Sequence, residues 1–212
     1  MITNVVFAGV GGQGIVTAGD LLAVAALRSG WSVKKAETHG MAQRGGSVVS
    51  SVRFSGDRAV RSPLVPDGEA DYLVALELLE GVRFLPMLRP DGQVIADAHE
   101  VAPQSVAAGT DAYPGDALSV LARYGIVMPA TCIATELGEP RAANAVLLGA
   151  LSRSLAVPVG AWDAAFRETL RPAALAAASE AFRRGQVRIV AEGGTPFMPG
   201  NDGGRAGVSP GR

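Results

Sequence analysis

The amino-acid sequence predicts an α/β domain of three layers, with a mixed β-sheet between helices and a helical C-terminal part. In its first half, short apolar runs alternate with segments whose apolar residues recur at helical spacing, and glycines end the links between them. Of the 212 residues, 48% are hydrophobic and 18% are charged, so the chain has enough apolar surface for a layered core.

The predicted strands occupy the first half of the chain. Valine-rich or alternating runs predict strands at 4–8, 31–37, 47–54, 72–76 and 94–97. Helical spacing predicts helices at 15–27 and 78–88. The Ser-Gly-Asp sequence at 55–57 favours a tight turn into 58–61, so we expect a hairpin there and hence a mixed sheet. The Arg-Pro-Asp-Gly sequence at 89–92 is typical of a turn before the last of these strands.

The second half is predicted to be helical. Residues 99–116 are rich in small side chains, and we expect an irregular excursion over the sheet edge. Helical segments are expected at 117–124, 142–155, 161–170 and 172–184. After residue 192 the composition changes to glycine, proline and asparagine, so we expect one domain over 1–192 and a disordered tail over 193–212.

The charge balance and the hydropathy bound the partners and the location. A formal net charge of −1 gives no global basic field to hold nucleic acid or an anionic membrane, so we expect neither partner. The N-terminal residues do not resemble a secretory signal, and no apolar stretch reaches the roughly 18 residues that span a bilayer. These features predict a cytoplasmic protein.

Redox chemistry in this chain is limited by its single cysteine, Cys132. One thiol forms no internal disulfide and cannot hold an iron–sulfur cluster, which takes about four cysteines. The two histidines, His39 and His99, lack the spacing of metal ligands, so no metal site is expected. We expect Cys132 to be a small buried apolar residue, and any redox metal to be held by another chain.

A glycine loop, Gly9-Val10-Gly11-Gly12-Gln13-Gly14, lies between the first predicted strand and the first predicted helix. In a Rossmann-like domain such glycines let the backbone turn tightly, and free N–H groups at the helix start attract a phosphate. Glu37, at the end of the second predicted strand, occurs where an acidic residue would bind the ribose of a nicotinamide dinucleotide. Phosphate binding, dinucleotide binding and simple close packing of the helix all remain open from the residues alone.

A polar cluster follows over residues 37–47, Glu-Thr-His-Gly-Met-Ala-Gln-Arg-Gly-Gly-Ser. It combines a carboxylate, an imidazole, an amide and a guanidinium with glycines, and such a loop is costly to order unless its polar groups meet fixed partners. Arg44 suits two-pronged binding of a carboxylate or phosphate, and His39 suits proton movement near neutral pH. A Glu37–Arg44 salt bridge that shapes a turn is the structural alternative.

The glycine loop, the polar cluster, the Ser-Pro-Leu-Val-Pro sequence at 62–66 and the segment 141–150 together resemble the γ domain of 2-oxoacid:ferredoxin oxidoreductases. The resemblance covers about residues 3–185, and it is strongest to the indolepyruvate branch, in which this domain is a separate chain, the β subunit. It implies oxidation of a 2-oxoacid with coenzyme A and oxidised ferredoxin to acyl-CoA, carbon dioxide and reduced ferredoxin. It also implies that thiamine diphosphate and the iron–sulfur clusters lie on a larger α subunit, and that the isolated chain is inactive.

The resemblance also assigns candidate site residues. Glycine-loop residues expected to contact a phosphate-bearing group such as coenzyme A are Gly9, Gly11, Gly12 and Gly14. Supporting catalytic roles fall to His39 and Arg44. Further cofactor contacts fall to Gln43, Ser47 and Asn144, although Asn144 is equally explained as a helix residue bonding to a nearby loop. Two rival functions remain: an NAD(P)-binding oxidoreductase domain, and a non-catalytic binding or assembly protein of the same fold.

Overall fold

The computed structural model of the protein describes residues 1–40 and 46–191. Its centre is a six-stranded sheet in the order β2-β3-β1-β4-β5-β6. The strands are β1 (Thr3–Val10), β2 (Ser32–His39), β3 (Ser47–Ser55), β4 (Ala70–Ala75), β5 (Leu88–Asp97) and β6 (Gly125–Met128). β1, β4, β5 and β6 are parallel, whereas β3 is antiparallel to both of its neighbours. The predicted α/β class and mixed sheet are therefore confirmed.

Eight α-helices are described, and they cover both faces of the sheet. They are α1 (Ile15–Arg28), α2 (Leu78–Phe84), α3 (Gln104–Ala107), α4 (Ala117–Ala122), α5 (Ala130–Glu136), α6 (Ala143–Ser152), α7 (Val159–Thr169) and α8 (Pro172–Ala191). β1 shows why two layers form: Val5 and Phe7 face the core under α1 and α5–α8, whereas Val6 and Ala8 face the core under α2 and α4. No helix within the described ranges has the length and apolar character required to cross a membrane.

The hairpin expected at residues 55–61 is wrong. β3 pairs with β1 on one side and with β2 on the other, so Phe54 already lies between Thr3 and Val33. No free edge of β3 is left for residues 58–61 to join. The sheet is instead mixed because β3 is antiparallel to both β1 and β2, and the polar cluster connects β2 to β3.

One turn prediction fails because pairing between distant segments overrides the turn signal. The turn expected at 89–92 lies within β5, since Leu88 pairs with Ala70 at a bulge. β6 and α5 were not predicted either, because four and seven residues give too short a pattern to recognise. The helical C-terminal part is confirmed, and the tail predicted at 193–212 lies outside the described residues.

Cys132 is exposed, which contradicts the expectation of a buried thiol. α5 buries Ala130, Ile133 and Ala134, which are spaced three and four residues apart along one helical face. Cys132 falls off that face and therefore points to solvent.

The segment after β5, residues 99–116, is held in place by the buried carboxylate of Glu77. The Glu77 side chain is 1% exposed; it caps α2 by accepting from the Glu80 N–H, and also accepts from the Val101 N–H and the Tyr113 hydroxyl. Burial and the hydrogen bond to Glu77 raise the pKa of Tyr113. The segment that looked irregular in sequence is thus held against the start of α2.

Candidate functional site

A cleft of about 290 Å³ opens at the carboxyl ends of the parallel strands. Its lining residues lie at or just after the ends of β1, β4, β5 and β6, or around the start of α6: Gly12, Gln13, Leu76, Asp97, His99, Thr131, Pro140, Arg141 and Ala143. The chain leaves β1 for α1 on one face of the sheet and leaves β4 for α2 on the other. This divergence creates the kind of crevice in which open α/β sheets bind their ligands.

The glycines of the loop between β1 and α1 have different structural roles. A Cβ on Gly9 would lie 2.7 Å from Gln13 Oε1, and one on Gly14 would lie 2.6 Å from Asn144 Nδ2, so a side chain at either position would displace a side chain that bonds to the loop. Gly14 also has a φ of +81°, and Gly12 a φ of +99°. A Cβ on Gly12 would meet nothing within 4 Å, so this residue faces the open cleft.

Gln13 holds the two sides of the crevice together. Its Oε1 accepts from the Val10 N–H at 2.7 Å, and its Nε2 donates to the Leu76 carbonyl oxygen at 3.0 Å. The side chain therefore joins the loop after β1 to the end of β4. Sequence reasoning did not select Gln13, because the partner carbonyl lies far away along the chain.

The glycine loop leaves some N–H groups open to a ligand. Gly11 donates its N–H to the Gly46 carbonyl oxygen at 2.9 Å, and Gln13 donates its own to the Val10 oxygen. Within the described residues, the N–H groups of Gly12 and Gly14 have no acceptor, nor do those of the first three residues of α1, at 15–17. Such groups favour an anion, helped by the helix dipole.

The charged side chains of the cleft differ in their pairing. Arg141 is exposed and forms no ion pair within residues 1–40 and 46–191. Asp97 is buried, and its carboxylate accepts from both the N–H and the hydroxyl of Thr131. The open rim of the cleft is therefore positive at Arg141, whereas the carboxylate lies below the surface and is already hydrogen-bonded.

Burial raises the pKa of the Asp97 carboxyl above its usual range, although the hydrogen bonds from Thr131 oppose the shift. A raised pKa means that the folded protein holds this proton more tightly than the unfolded chain does. Stability from this group is therefore greatest below about pH 4, and it falls as the pH rises towards the pKa of the folded state.

Asp97→Asn tests this assignment, because asparagine keeps an oxygen for the Thr131 N–H but does not titrate. The free energy of unfolding of the wild type minus that of Asp97→Asn is expected to fall as the pH rises from about 4, and then to level off. Urea unfolding of both proteins between about pH 4 and 7 measures this difference. A difference that grows with pH would contradict a raised pKa.

The structure places only part of the polar cluster. His39 ends β2, where its backbone pairs with Val48, whereas Gln43 and Arg44 lie outside the described residues. Ser47 begins β3, and its hydroxyl donates to the carboxylate of Glu80 in α2. Roles for these residues at a cofactor therefore stay predictions.

Asn144 connects α6 to the glycine loop. It is 8% exposed, and its Nδ2 donates to the Gly14 carbonyl oxygen at 3.1 Å. Of the two explanations that the sequence left open, the geometry supports bonding to a nearby loop. Asn144 thereby sets the position of the first turn of α1.

Glu37 is poorly placed for a dinucleotide ribose. β3 lies between β1 and β2, so Glu37 is two strand spacings, roughly 10 Å, from the strand that leads into the glycine loop. Its carboxylate is bonded to Lys35 Nζ at 2.5 Å, and the same Nζ contacts Asp20 at 2.6 Å. This arrangement disfavours the NAD(P)-binding alternative.

Some cleft residues carried a usable signal in the sequence, and others did not. Asp97 directly ends a predicted strand, and Arg141 begins one of the segments that carried the family resemblance. Thr131 belongs to a helix that no pattern predicted. His99 was noted only for its lack of metal-ligand spacing, and its half-buried place in the cleft depends on the fold.

Comparison with known proteins gives matches over most of the chain. The pyruvate ferredoxin/flavodoxin oxidoreductase family matches residues 4–186. Indolepyruvate oxidoreductase subunit IorB of Archaeoglobus fulgidus is 42% identical over 179 residues, which are 81% of this chain and 87% of the relative.

Solved structures share the fold. The keto/oxoacid ferredoxin oxidoreductase γ subunit from Geobacter sulfurreducens has a TM-score of 0.65 at 26% identity, covering 89% of this chain and 99% of that one. The 2-oxoglutarate:ferredoxin oxidoreductase from Magnetococcus marinus has a TM-score of 0.70 at 22% identity, and 93% of this chain is covered but only 32% of that longer chain. The chain belongs to the pyruvate ferredoxin/flavodoxin oxidoreductase family.

Proposed function

We propose that the chain is the small subunit of a 2-oxoacid:ferredoxin oxidoreductase that acts on indolepyruvate or a related arylpyruvate. The observation that carries the proposal is the 42% identity to an indolepyruvate oxidoreductase subunit over 87% of that subunit's length. The reaction converts the 2-oxoacid, coenzyme A and oxidised ferredoxin to acyl-CoA, carbon dioxide and reduced ferredoxin. A cytoplasmic location stays a prediction.

The electron-transfer groups are assigned to a larger partner subunit. An iron–sulfur cluster takes about four thiolates, whereas this sequence has one cysteine. Thiamine diphosphate, which supplies carbanion stabilisation when bound, is assigned to the same partner. This chain would contribute binding and orientation, and ferredoxin would meet the assembled complex.

The cleft fits the phosphate-bearing part of coenzyme A. Gly12 offers an open N–H, the first turn of α1 adds further donors, and Arg141 supplies an unpaired guanidinium within the described residues. A guanidinium suits two-pronged contact with a phosphate. The cleft volume of about 290 Å³ is at the small end for a ligand site. The rest of coenzyme A would therefore extend out of the cleft towards the partner.

Affinity purification of the tagged chain from its native cell tests the proposal, with bound proteins identified by mass spectrometry. The expected result is a larger chain that carries thiamine-diphosphate and ferredoxin-type cluster motifs, together with measurable iron and thiamine diphosphate. A tagged unrelated protein of similar size is the control. Recovery of this chain alone, or of its own oligomer, would contradict the subunit assignment.

A further inference from the structure

A buried carboxylate on α2 reaches the start of β3. Glu80 is 5% exposed, and its two oxygens have separate partners. Oε2 accepts from the Ser47 hydroxyl at 2.5 Å, and Oε1 pairs with Arg83 Nη1 at 3.0 Å. Arg83 lies in α2 as well, so among residues 1–40 and 46–191 the bond from Ser47 alone joins the Glu80 carboxylate to another element of the fold.

The residue before Ser47 continues this connection into the cleft. The Gly46 carbonyl oxygen accepts from the Gly11 N–H at 2.9 Å. The carbonyl oxygen of Ser47 itself accepts from the Gly40 N–H, near the end of β2, at 2.8 Å. Glu80, Ser47, Gly46 and Gly11 therefore form one chain of bonds from α2, through the end of the polar cluster, to the glycine loop.

We propose that Glu80 is a positioning residue that fixes the glycine loop through Ser47 and Gly46. The bond to Gly46 removes the Gly11 N–H from the set available to a ligand and sets the direction of the neighbouring Gly12 N–H. This inference rests on the proposed binding of a phosphate-bearing ligand at that loop. It assigns Ser47 to holding the protein's own loop, not to touching the cofactor.

The geometry explains why a carboxylate suits this position. A hydroxyl-to-carboxylate hydrogen bond is about twice as strong as a neutral one. Gly11 and Gly12 are exposed, with little packing to hold them, so the loop depends on its hydrogen bonds for a fixed shape. Gln13 anchors the far side of the loop to Leu76, two residues before α2 begins. Both sides of the loop are thus held from the same end of one helix.

The test uses the complete enzyme, assembled with its larger partner, and three variants. Ser47→Ala removes the donor, Glu80→Met removes the acceptor at similar volume, and Ser47→Thr restores a hydroxyl. We expect the KM for coenzyme A to rise about five- to tenfold in the first two, as the loss of one hydrogen bond predicts, with little change in kcat. Ser47→Thr should recover most of the affinity.

The double variant Ser47→Ala/Glu80→Met separates positioning from direct contact. If Ser47 acts through Glu80, the double variant is no worse than either single one. Arg83→Met, which breaks only the other bond of Glu80, should leave the KM unchanged. If the two substitutions raise the KM additively, or if Ser47→Ala raises it and Glu80→Met does not, Ser47 touches the ligand and the inference is overturned.

Failure of the inference can be distinguished from failure of the proposed ligand site. Gly12→Asp alters the cleft itself without touching the bonds of Glu80. If Gly12→Asp raises the KM for coenzyme A while Ser47→Ala and Glu80→Met do not, the site stands and the positioning role falls. If none of the three changes the KM, the ligand assignment fails first, and the positioning role fails with it.

Discussion

Gly12→Asp in the assembled enzyme is expected to raise the KM for coenzyme A by about a hundredfold. The φ of +99° disfavours any L side chain, so folding becomes less favourable by roughly 1–2 kcal/mol, a cost that the free and the ligand-bound enzyme share. A Cβ there meets nothing within 4 Å, so the chain can still fold, but the new carboxylate would lie in the open cleft. The lost affinity comes from repulsion between this carboxylate and a phosphate a few ångströms away, and about 2.7 kcal/mol of lost binding corresponds to a hundredfold.

Gly30→Asp is the matched control for this variant. Gly30 has a φ of +78° and nothing within 4 Å of a built Cβ, so the strain and the added charge are similar. It lies beyond the opposite end of α1, roughly 20 Å away along a helix of 14 residues. Steady-state kinetics with varied coenzyme A should show a normal KM for Gly30→Asp. Equal KM values for both variants would show that coenzyme A does not bind in this cleft.

Gly185→Ala is expected to destabilise the domain by about 3 kcal/mol or more. α6 and α8 cross closely enough that a Cβ on Gly185 would overlap the Val146 carbonyl oxygen, and one on Gly149 would overlap the Phe182 carbonyl oxygen. Both obstacles are backbone atoms, which cannot move aside as a flexible side chain would, so the helices must separate. For a domain of this size the melting temperature should fall by roughly 6–12 °C.

Gly160→Ala is the matched control, a glycine-to-alanine change in a helix that is not expected to destabilise the domain. Gly160 is exposed near the start of α7, and a Cβ there meets nothing within 4 Å. Alanine should leave stability unchanged or raise it by up to about 1 kcal/mol, because glycine is the weaker helix former. Thermal unfolding of the two variants beside the wild type checks the contrast. A Gly185→Ala protein as stable as the wild type would mean that α6 and α8 do not pack as described.

The strands that sequence patterns predicted are those with strong local signals. β1 and β4 are apolar runs buried on both faces, so the pattern alone identifies them. The placement of β3 between β1 and β2 depends on pairing between distant segments, which no local pattern reports. The same distant pairing carried β5 through Pro90 and Gly92 against their turn preference, whereas β6 was missed because its four residues give too short a pattern.

The candidate site also has features that the sequence predicted and features that depend on distant contacts. The glycine loop was predicted from its position between a strand and a helix, and the structure puts Gly12 at the cleft. What holds the loop was not predictable, because its partners are distant in sequence: Asn144 for Gly14 and Gly46 for Gly11. Residue types alone could not separate a Ser47 that binds a cofactor from one that bonds to Glu80.

The most direct test of the central claim is the activity of the enzyme reconstituted from this chain and its larger partner. With indolepyruvate, coenzyme A and oxidised ferredoxin, the complex is expected to form acyl-CoA and reduced ferredoxin, and each chain alone should be inactive. Phenylpyruvate, pyruvate and 2-oxoglutarate serve as competing substrates that rank the 2-oxoacids. Full activity of the larger chain alone, or a complex that oxidises no 2-oxoacid, would contradict the account.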